Sequence, residues 1–197
     1  MFGRLTQGRP YIWFLLLLLI TGTVASVIVF QQNPYRTASD TFRGRVLGFE
    51  LFRIPSHSMQ PTLLPGDYIY VSTREYKNNA PQINDVITFL YPKDRNINYI
   101  KRLIGRAGDR VKIENFQVYV NDQAIAQPYL DMNLAKKPFS RYMPEIIIPK
   151  NKLFVMGDNR DNSNDSRFFQ SINRADVIGK ATRIIFGKDH RTGKAIK

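Results

Sequence analysis

The stretch DRVKIENFQVYV, residues 109–120, indicates how this protein folds. Two short runs rich in Val, Ile, Phe and Tyr, DRVKI and FQVYV, are joined around Glu114 and Asn115, which predicts a β-hairpin. Asn121 and Asp122 follow directly and predict a second tight turn. We therefore expect neighbouring antiparallel strands in this part of the chain.

Similar runs occur along most of the chain and decide its fold class. They are separated by Gly, Pro, Asn and Asp, the residues that end strands and form turns. The other runs are GRVLGFELFRI (44–54), DYIYVS (67–72), DVITFLY (85–91), INYIKRLIG (97–105), EIIIP (145–149), KLFVMG (152–157) and DVIGKATRIIF (176–186). The sequence predicts a mainly β protein whose antiparallel sheets form a compact core.

The composition suits one folded domain with a basic surface. The 197 residues are 43% hydrophobic, which is enough for a sizeable core. Cysteine is absent, which excludes disulfides, thiol catalysis and cysteine-based zinc sites, and no metal or organic cofactor is indicated. The 29 Lys and Arg against 16 Asp and Glu give a net charge of +13, which favours either nucleic acid or anionic lipid head groups as a partner.

The apolar segment YIWFLLLLLITGTVASVIVF, residues 11–30, favours the membrane. It contains no charge, and as a helix of twenty residues it would span about 30 Å, the thickness of a bilayer's hydrocarbon core. Arg4 and Arg9 precede it, so the positive-inside rule predicts a cytoplasmic amino terminus and an extracytoplasmic body. The alternative is a signal peptide cleaved after residues 23–25, but the apolar run continues through residues 27–30 and favours an uncleaved anchor.

The anchor and the strand pattern divide the chain into segments. The hairpin is followed by a loop with three prolines, QPYLDMNLAKKPFSRYMP, and we interpret this region as a small β lobe inserted into the core. The predicted segments are an amino-terminal segment (1–10), the anchor (11–30), a linker (31–43), the first part of the core (44–104), the inserted β lobe (105–150), the second part of the core (151–190) and a polar tail (191–197).

The segment IPSHSMQPTLLPGDYIYV, residues 54–71, contains Ser58 as a candidate nucleophile. A serine hydroxyl is weak at neutral pH and needs a base within hydrogen-bond reach. His57 is bonded to Ser58 itself and is poorly placed to reach the neighbouring Oγ, and His190 lies in the polar sequence KDHRTGKAIK. The base is therefore expected to be a residue other than histidine.

Lys101, within NYIKRLIGRAGDRV (98–111), is a candidate for that base. Strand alternation places it on one face with Tyr99 and Leu103. If this face points inward, desolvation lowers the pKa of the amine from about 10.4 toward the working pH and makes a neutral base available. The alternative is that Lys101 and Arg102 are ordinary surface residues of a strand.

The segment GDNRDNSNDSR, residues 157–167, follows a strand and is rich in turn-forming and charged residues. Its alternating acidic residues suggest a calcium loop, but that motif requires Gly at the sixth position and Glu at the twelfth, and neither is present. A structural loop is the better interpretation, with Asp165 and Arg167 close enough to pair and keep it rigid.

Taken together, these segments resemble the type I signal peptidases, membrane-anchored serine/lysine proteases that remove signal peptides from exported proteins. The resemblance covers nearly the whole chain, in the family's order: the anchor, IPSHSMQPTLLPGD, NDVITFLYP, YIKRLIGRAGD and GDNRDNSNDSR. It implies that Ser58 is the nucleophile and Lys101 its general base. It also implies that the Ser56 hydroxyl completes an oxyanion hole with the Ser58 backbone N–H.

The resemblance assigns further residues to supporting and substrate-binding roles. Ser163 matches the serine that orients the lysine amine, and Asp158, Asp165 and Arg167 match the residues that hold the active-site loops together. The implied substrate groove accepts small side chains at positions −1 and −3 of a signal peptide. The residues expected to line it are Ile54, Pro55, Tyr99 and Ile100.

The sequence departs from the family pattern in three places, and these leave substrate preference open. His57 lies between the two serines where glycine is frequent, and Asn84 precedes Asp85 where the family usually has Gly. Arg106 and Ala107 replace the common Leu-Pro. None of them occupies a catalytic position.

Two alternatives remain at this level. A self-cleaving transcriptional repressor also uses a Ser/Lys pair and would explain the charge by DNA, but the sequence offers no helix-turn-helix in place of residues 11–30, so nucleic acid is not an expected partner. The other is a catalytically inactive anchored β module that binds exported peptides. The expected partners are preprotein signal peptides and a bilayer with anionic head groups, in a bacterial plasma membrane or a thylakoid-type membrane. The oligomeric state cannot be read from the sequence.

Overall fold

The computed structural model describes residues 10–196, so Arg4, Arg9 and most of the predicted segment 1–10 lie outside the described residues. The chain begins with helix α1 (Pro10–Gln32). Its apolar stretch, residues 11–32, includes an 18-residue window with a mean hydropathy of 2.6, and none of that window is buried against the rest of the protein. By length and composition α1 can cross a membrane.

Antiparallel strands make up most of the regular secondary structure after α1, as the sequence predicts. The strands are β1 (Phe49–Arg53), β2 (Tyr68–Ser72), β3 (Val86–Tyr91), β4 (Asp94–Arg106), β5 (Arg110–Glu114), β6 (Gln117–Val120), β7 (Gln123–Ala124), β8 (Met143–Ile147), β9 (Lys152–Met156), β10 (Ile172–Asn173) and β11 (Val177–Phe186). Short helices also occur: a π-helical turn (Arg43–Leu47), two 3-10 turns (Met132–Leu134 and Arg174–Asp176), α2 (Pro138–Arg141) and α3 (Ser166–Phe169).

The strands described here form two sheets. The larger has seven strands in the order β1-β2-β11-β3-β4-β9-β10, and the smaller has four in the order β7-β6-β5-β8. The smaller sheet is built entirely from residues 110–147 and so falls within the predicted inserted lobe. Ile104, Phe154 and Met156 of the larger sheet share a core cluster with Val111, Val118 and other residues of the smaller one.

The β5–β6 hairpin is present, with its turn displaced by one residue from the predicted position. Glu114 pairs with Gln117, and the two central residues, Asn115 and Phe116, have φ of 46° and 70°. The second predicted turn, at Asn121 and Asp122, joins β6 to β7 with φ of 52° and 65°. Positive φ at both central residues is the geometry that hairpin turns of this length require.

The run 44–54 was expected to be strand throughout, and its first part is not. Residues Arg43–Leu47 form the π-helical turn, and only Phe49–Arg53 form strand β1. Gly48 has φ of 82° and its N–H donates to the Arg43 carbonyl at 2.8 Å, which ends the turn before the strand begins. A φ in this region favours glycine, so Gly48 separates the two conformations.

Candidate active site

Ser58 lies in the segment between β1 and β2, which hydrogen bonds and buried side chains hold in place. The Ile54 N–H donates to the Asp67 carbonyl and the Gly66 N–H donates to the Ile54 carbonyl, both at 2.8 Å. Met59, next to the serine, is fully buried in the core. Ser58 itself is 8% exposed, so its hydroxyl is placed by a fixed backbone at the edge of the core.

Lys101 lies in the middle of β4, opposite Ile87 of β3, and its amine meets the serine. Lys101 Nζ lies 2.8 Å from Ser58 Oγ and donates to the Ile100 carbonyl at 2.9 Å. The side chain is 4% exposed, and Nζ lies 5.1 Å from the centroid of the Tyr99 ring. The two residues, 43 positions apart in the sequence, are within hydrogen-bond reach.

The surroundings of Lys101 favour the neutral amine. Burial lowers the pKa of the Lys101 ammonium from 10.5 to about 8, while the negative charges of Asp165 and Asp158 act in the opposite direction. Each of these carboxylates is neutralised by its own guanidinium. Asp158 pairs with Arg102, and Asp165 pairs with Arg167 at 2.9 Å. Desolvation therefore prevails, and with a pKa of about 8 roughly a tenth of the lysine is a free base at pH 7, far more than for an exposed lysine.

The loop after β9 contacts the Ser58 segment directly. The Asn159 N–H donates to the Ser58 carbonyl at 3.1 Å, and Thr62 Oγ1 donates to Asp158 Oδ2. Asp165 Oδ2 accepts from the Gly157 N–H at 3.0 Å, which ties the two ends of the loop together. The loop thus fixes both the serine backbone and the carboxylates near the lysine.

Ser56 and Ser163 occupy different environments. Ser56 is exposed, and its Oγ lies 3.2 Å from Ser58 Oγ. The Ser163 hydroxyl is buried and has no hydrogen-bond partner in the described part of the chain. An orienting bond from Ser163 to the Lys101 amine is therefore absent from this conformation, and the role implied by the resemblance stays a prediction.

A groove of about 290 Å³ opens beside the serine and lysine. Pro55, Tyr99 and Ile100 line it, as expected. Ile54 does not: its side chain is 2% exposed and packs in the core with Met59. The other lining residues are Ser56, Ser58, Ile97, Asn98, Lys101, Asn162 and Asn164.

Comparison with known proteins identifies the family. The model of "Signal peptidase, peptidase S26" matches residues 11–186, which is most of the chain. The chain belongs to the signal peptidase family.

Relatives in this family cover different shares of the chain. Signal peptidase IB of Staphylococcus aureus is 32% identical over 177 residues, which are 83% of this chain and 85% of that protein. Signal peptidase I of Pseudomonas aeruginosa is 37% identical over 156 residues, 61% of this chain and 55% of that protein. The aligned part of the chain thus spans little more than half the length of the Pseudomonas relative. A crystal structure of a signal peptidase I from Enterococcus faecalis aligns with a TM-score of 0.45 and 29% identity, over 52% of this chain and 97% of that one.

The backbone explains one departure from the signal peptidase pattern. Asn84, where the family usually has Gly, has φ of 75°, a region that Gly adopts freely and Asn tolerates better than most residues. Its carbonyl accepts from Arg102 Nη1 at 2.8 Å. His57 is exposed and is not among the residues that line the groove.

Sequence reasoning missed several residues that support this site. Arg102 was considered only as a surface neighbour of Lys101, yet it is fully buried and pairs with Asp158. The Tyr129 ring centroid lies 3.7 Å from the Arg102 guanidinium carbon, so the loop after β7 packs against strand β4. Asp161 accepts from the Lys136 N–H and from Ser140 Oγ, both at 2.7 Å. The turn-forming composition of the two loops gave no signal that they would pair.

Proposed function

We propose that this chain is a membrane-anchored serine endopeptidase that removes amino-terminal signal peptides from exported preproteins. The observation that carries the proposal is the 2.8 Å distance between Lys101 Nζ and Ser58 Oγ, combined with the burial that lowers the pKa of Lys101 to about 8. Acyl transfer by a serine requires at least a nucleophile and a base in hydrogen-bond contact. Membership of the signal peptidase family supports the choice of substrate class.

In the proposed reaction Ser58 Oγ attacks the carbonyl carbon before the scissile bond, and its proton passes to the neutral Lys101 amine. The Ser56 hydroxyl and the Ser58 N–H donate to the oxyanion of the tetrahedral intermediate. When the intermediate collapses, the Lys101 ammonium returns the proton to the amine of the released mature chain. Water then attacks the ester on Ser58 while Lys101 accepts a proton from it, and the Lys101 ammonium returns that proton to Ser58 Oγ as the signal peptide leaves with its new carboxylate.

We propose that the groove beside Ser58 binds the residues before the scissile bond and favours small-x-small sites such as Ala-x-Ala. Its walls include Pro55, Tyr99 and Ile100, which offer apolar surface, and its volume of about 290 Å³ suits a short extended segment with small side chains. Four further residues are proposed to orient the lysine and to hold the active-site loops together: Ser163, Asp158, Asp165 and Arg167. The substrate partner is the signal peptide of a preprotein.

We also propose that α1 stays in the membrane, with a cytoplasmic amino terminus and the β body on the extracytoplasmic side. The uncharged apolar stretch of α1 supports the anchor, and Arg4 and Arg9 support its orientation. Protease treatment of intact cells and of opened cells tests the orientation. A β body on the extracytoplasmic side is accessible to the protease in cells whose cytoplasmic membrane is still sealed.

The decisive experiment is cleavage of a preprotein with an Ala-x-Ala site by the detergent-solubilised protein, with the new amino terminus located by mass spectrometry. We expect cleavage after the second Ala, lost in Ser58→Ala and in Lys101→Ala. The matched controls Ser171→Ala and Lys93→Ala change the same residue types outside the groove and should cleave normally. A folded wild type that cuts none of several preproteins would instead favour the inactive peptide-binding module.

A further inference from the structure

A second cavity lies where α1 ends, and none of its described lining residues also lines the Ser58 groove. We call it the juxtamembrane cavity. Its volume is about 910 Å³. Its walls are the end of α1 and the following linker (Gln32 and Arg36), the loop after β2 (Tyr76 and Lys77), the turn before β9 (Asn151) and the residue after β10 (Arg174).

The juxtamembrane cavity is positively charged. Arg36, Lys77 and Arg174 line it, and none of its described lining residues is acidic. None of these three cations forms an ion pair within the described part of the chain. The cavity therefore gathers positive charge without a protein counter-ion, which is the electrostatic setting that attracts an anion.

The cavity wall is fixed in place. The Tyr76 hydroxyl donates to Asp85 Oδ2 at 2.9 Å, and the guanidinium carbon of Arg174 lies 5.4 Å from the Tyr76 ring centroid. Burial lowers the pKa of Arg174, which means that its charge is incompletely solvated where it lies. The side-chain amides of Asn78, Asn79 and Asn151 add hydrogen-bond donors around the same space.

The position of the cavity along α1 indicates which anion reaches it. The helix has 23 residues and is about 35 Å long at 1.5 Å per residue, slightly more than the hydrocarbon core of a bilayer. If α1 spans the membrane, as the proposed function requires, Gln32 and the residues after it lie at the depth of the lipid head groups. No side chain of α1 from Tyr11 to Gln32 is buried, so acyl chains can lie beside it.

We propose that the juxtamembrane cavity binds the phosphate of an anionic phospholipid head group, with the acyl chains of that lipid alongside α1. Guanidinium groups bind phosphate oxygens through paired N–H donors, and the lysine adds a compact positive charge. Such a lipid ties the β body to the membrane surface beside the end of the anchor and so restrains the orientation of the Ser58 groove toward a substrate that emerges from the bilayer.

The test is a lipid titration of the full-length protein in detergent, followed by native mass spectrometry. Phosphatidylglycerol, phosphatidylcholine and inorganic phosphate are the three probes. We compare wild type with Lys77→Gln/Arg174→Gln and with Arg36→Gln/Lys77→Gln, the second of which leaves the Arg174–Tyr76 contact intact. The control Lys93→Gln/Lys188→Gln removes the same charge from exposed residues outside the cavity.

We expect one phosphatidylglycerol to bind about tenfold more tightly than phosphatidylcholine, and both cavity variants to lose about tenfold in affinity while the control stays within about twofold. Equal losses of affinity in the cavity variants and in the control would mean that the lipid is attracted by the surface charge as a whole, and would overturn the proposal. No loss of affinity in either cavity variant would overturn it as well. Binding of inorganic phosphate alone with comparable affinity would assign the cavity to a soluble anion instead.

The same preparations separate this proposal from the proposed function. Preprotein cleavage in detergent should be unchanged in the cavity variants, because none of the altered residues lines the Ser58 groove. A wild type that binds phosphatidylglycerol in the cavity but cleaves no preprotein would reject the peptidase and keep the lipid site. A wild type that cleaves preproteins but shows no lipid preference would keep the peptidase and reject the lipid site.

Discussion

Arg102 and Asp158 form a buried bidentate ion pair next to the candidate catalytic lysine. Arg102 Nε lies 2.8 Å from Asp158 Oδ1, Arg102 Nη2 lies 2.7 Å from Oδ2, and both side chains are 1% exposed. Because the Asp158 charge raises the pKa of Lys101, its neutralisation by Arg102 helps desolvation keep that pKa low. One residue of β4 is thus the proposed base, and the next residue balances the charge beside it.

We expect Arg102→Met to lower the free energy of unfolding by about 3–5 kcal/mol, because it leaves the buried Asp158 carboxylate without its guanidinium partner. The double variant Arg102→Met/Asp158→Asn should recover most of this loss. Urea unfolding of the detergent-solubilised protein measures both. Arg110→Met is the control, since Arg110 pairs with Asp122 at the surface and should cost about 1 kcal/mol or less. Equal losses for Arg102→Met and Arg110→Met would contradict the prediction.

The pH dependence of cleavage should report the lysine. Lys101 accepts the serine proton only when it is neutral, so with a pKa of about 8 the value of kcat/KM should rise tenfold per pH unit below pH 8 and level off above it. At pH 6 the rate should be about one hundredth of the plateau. A pH series with a fluorogenic peptide measures this. An acid limb centred near pH 6.5 would point to a histidine, and His57 would be tested next.

Replacement of Lys101 by Met should stabilise the fold while it abolishes cleavage. The pKa falls from 10.5 to about 8 on folding, so below pH 8 the charged amine is buried at a cost of about 3 kcal/mol. That cost disappears as pH rises from 8 toward 10.5, where the amine is neutral in both folded and unfolded chains. Unfolding at pH 6 and at pH 10.5 should therefore show a gain for Lys101→Met only at the lower pH. A loss of stability at pH 6 would contradict the assigned desolvation.

The fold was accessible from the sequence because it leaves a local pattern, whereas Ser58 and Lys101 were assigned by the resemblance of their segments to a known family. Turn residues between apolar runs predicted the strands, and Ser58 and Lys101 lie in distinctive segments. Strand alternation could not decide whether Lys101 was buried, because β4 is buried on both faces from Lys101 to Gly105 between β3 and β9. Burial of that kind depends on which strands become neighbours.

Loop contacts were largely inaccessible from the sequence, because they join segments that are far apart in the chain. The contact between Tyr129 and Arg102 and the bonds from Lys136 and Ser140 to Asp161 depend on how two irregular loops pack together. Ile54 was assigned to the groove by resemblance alone and instead packs in the core. Side-chain direction in a short extended segment is set by the backbone on either side.

Ser56→Ala should lower kcat by about 100- to 1,000-fold with little change in KM, because an oxyanion-hole donor acts mainly on the transition state. Ser56 Oγ lies 3.2 Å from Ser58 Oγ and lines the groove, so it is placed beside the reacting hydroxyl. Ser56→Thr keeps the hydroxyl and should retain much of the activity. Steady-state kinetics on one peptide substrate give both constants. A rise in KM with unchanged kcat would assign Ser56 to substrate binding instead.

Gly157→Ala should reduce kcat/KM by about 100-fold without unfolding the sheets. A Cβ at Gly157 would overlap the Ser163 side chain and the Ser58 carbonyl oxygen, and that carbonyl is held by the Asn159 N–H at 3.1 Å. The Ser58 backbone must then shift, and a displacement of about 1 Å in an active site is enough for a loss of this size. The strand pairing of β9 ends at Met156, so circular dichroism should keep its β signal. Gly22→Ala is the control, because nothing lies within 4 Å of a Cβ there. Wild-type kinetics for Gly157→Ala would mean that the position of the Ser58 backbone does not depend on this contact.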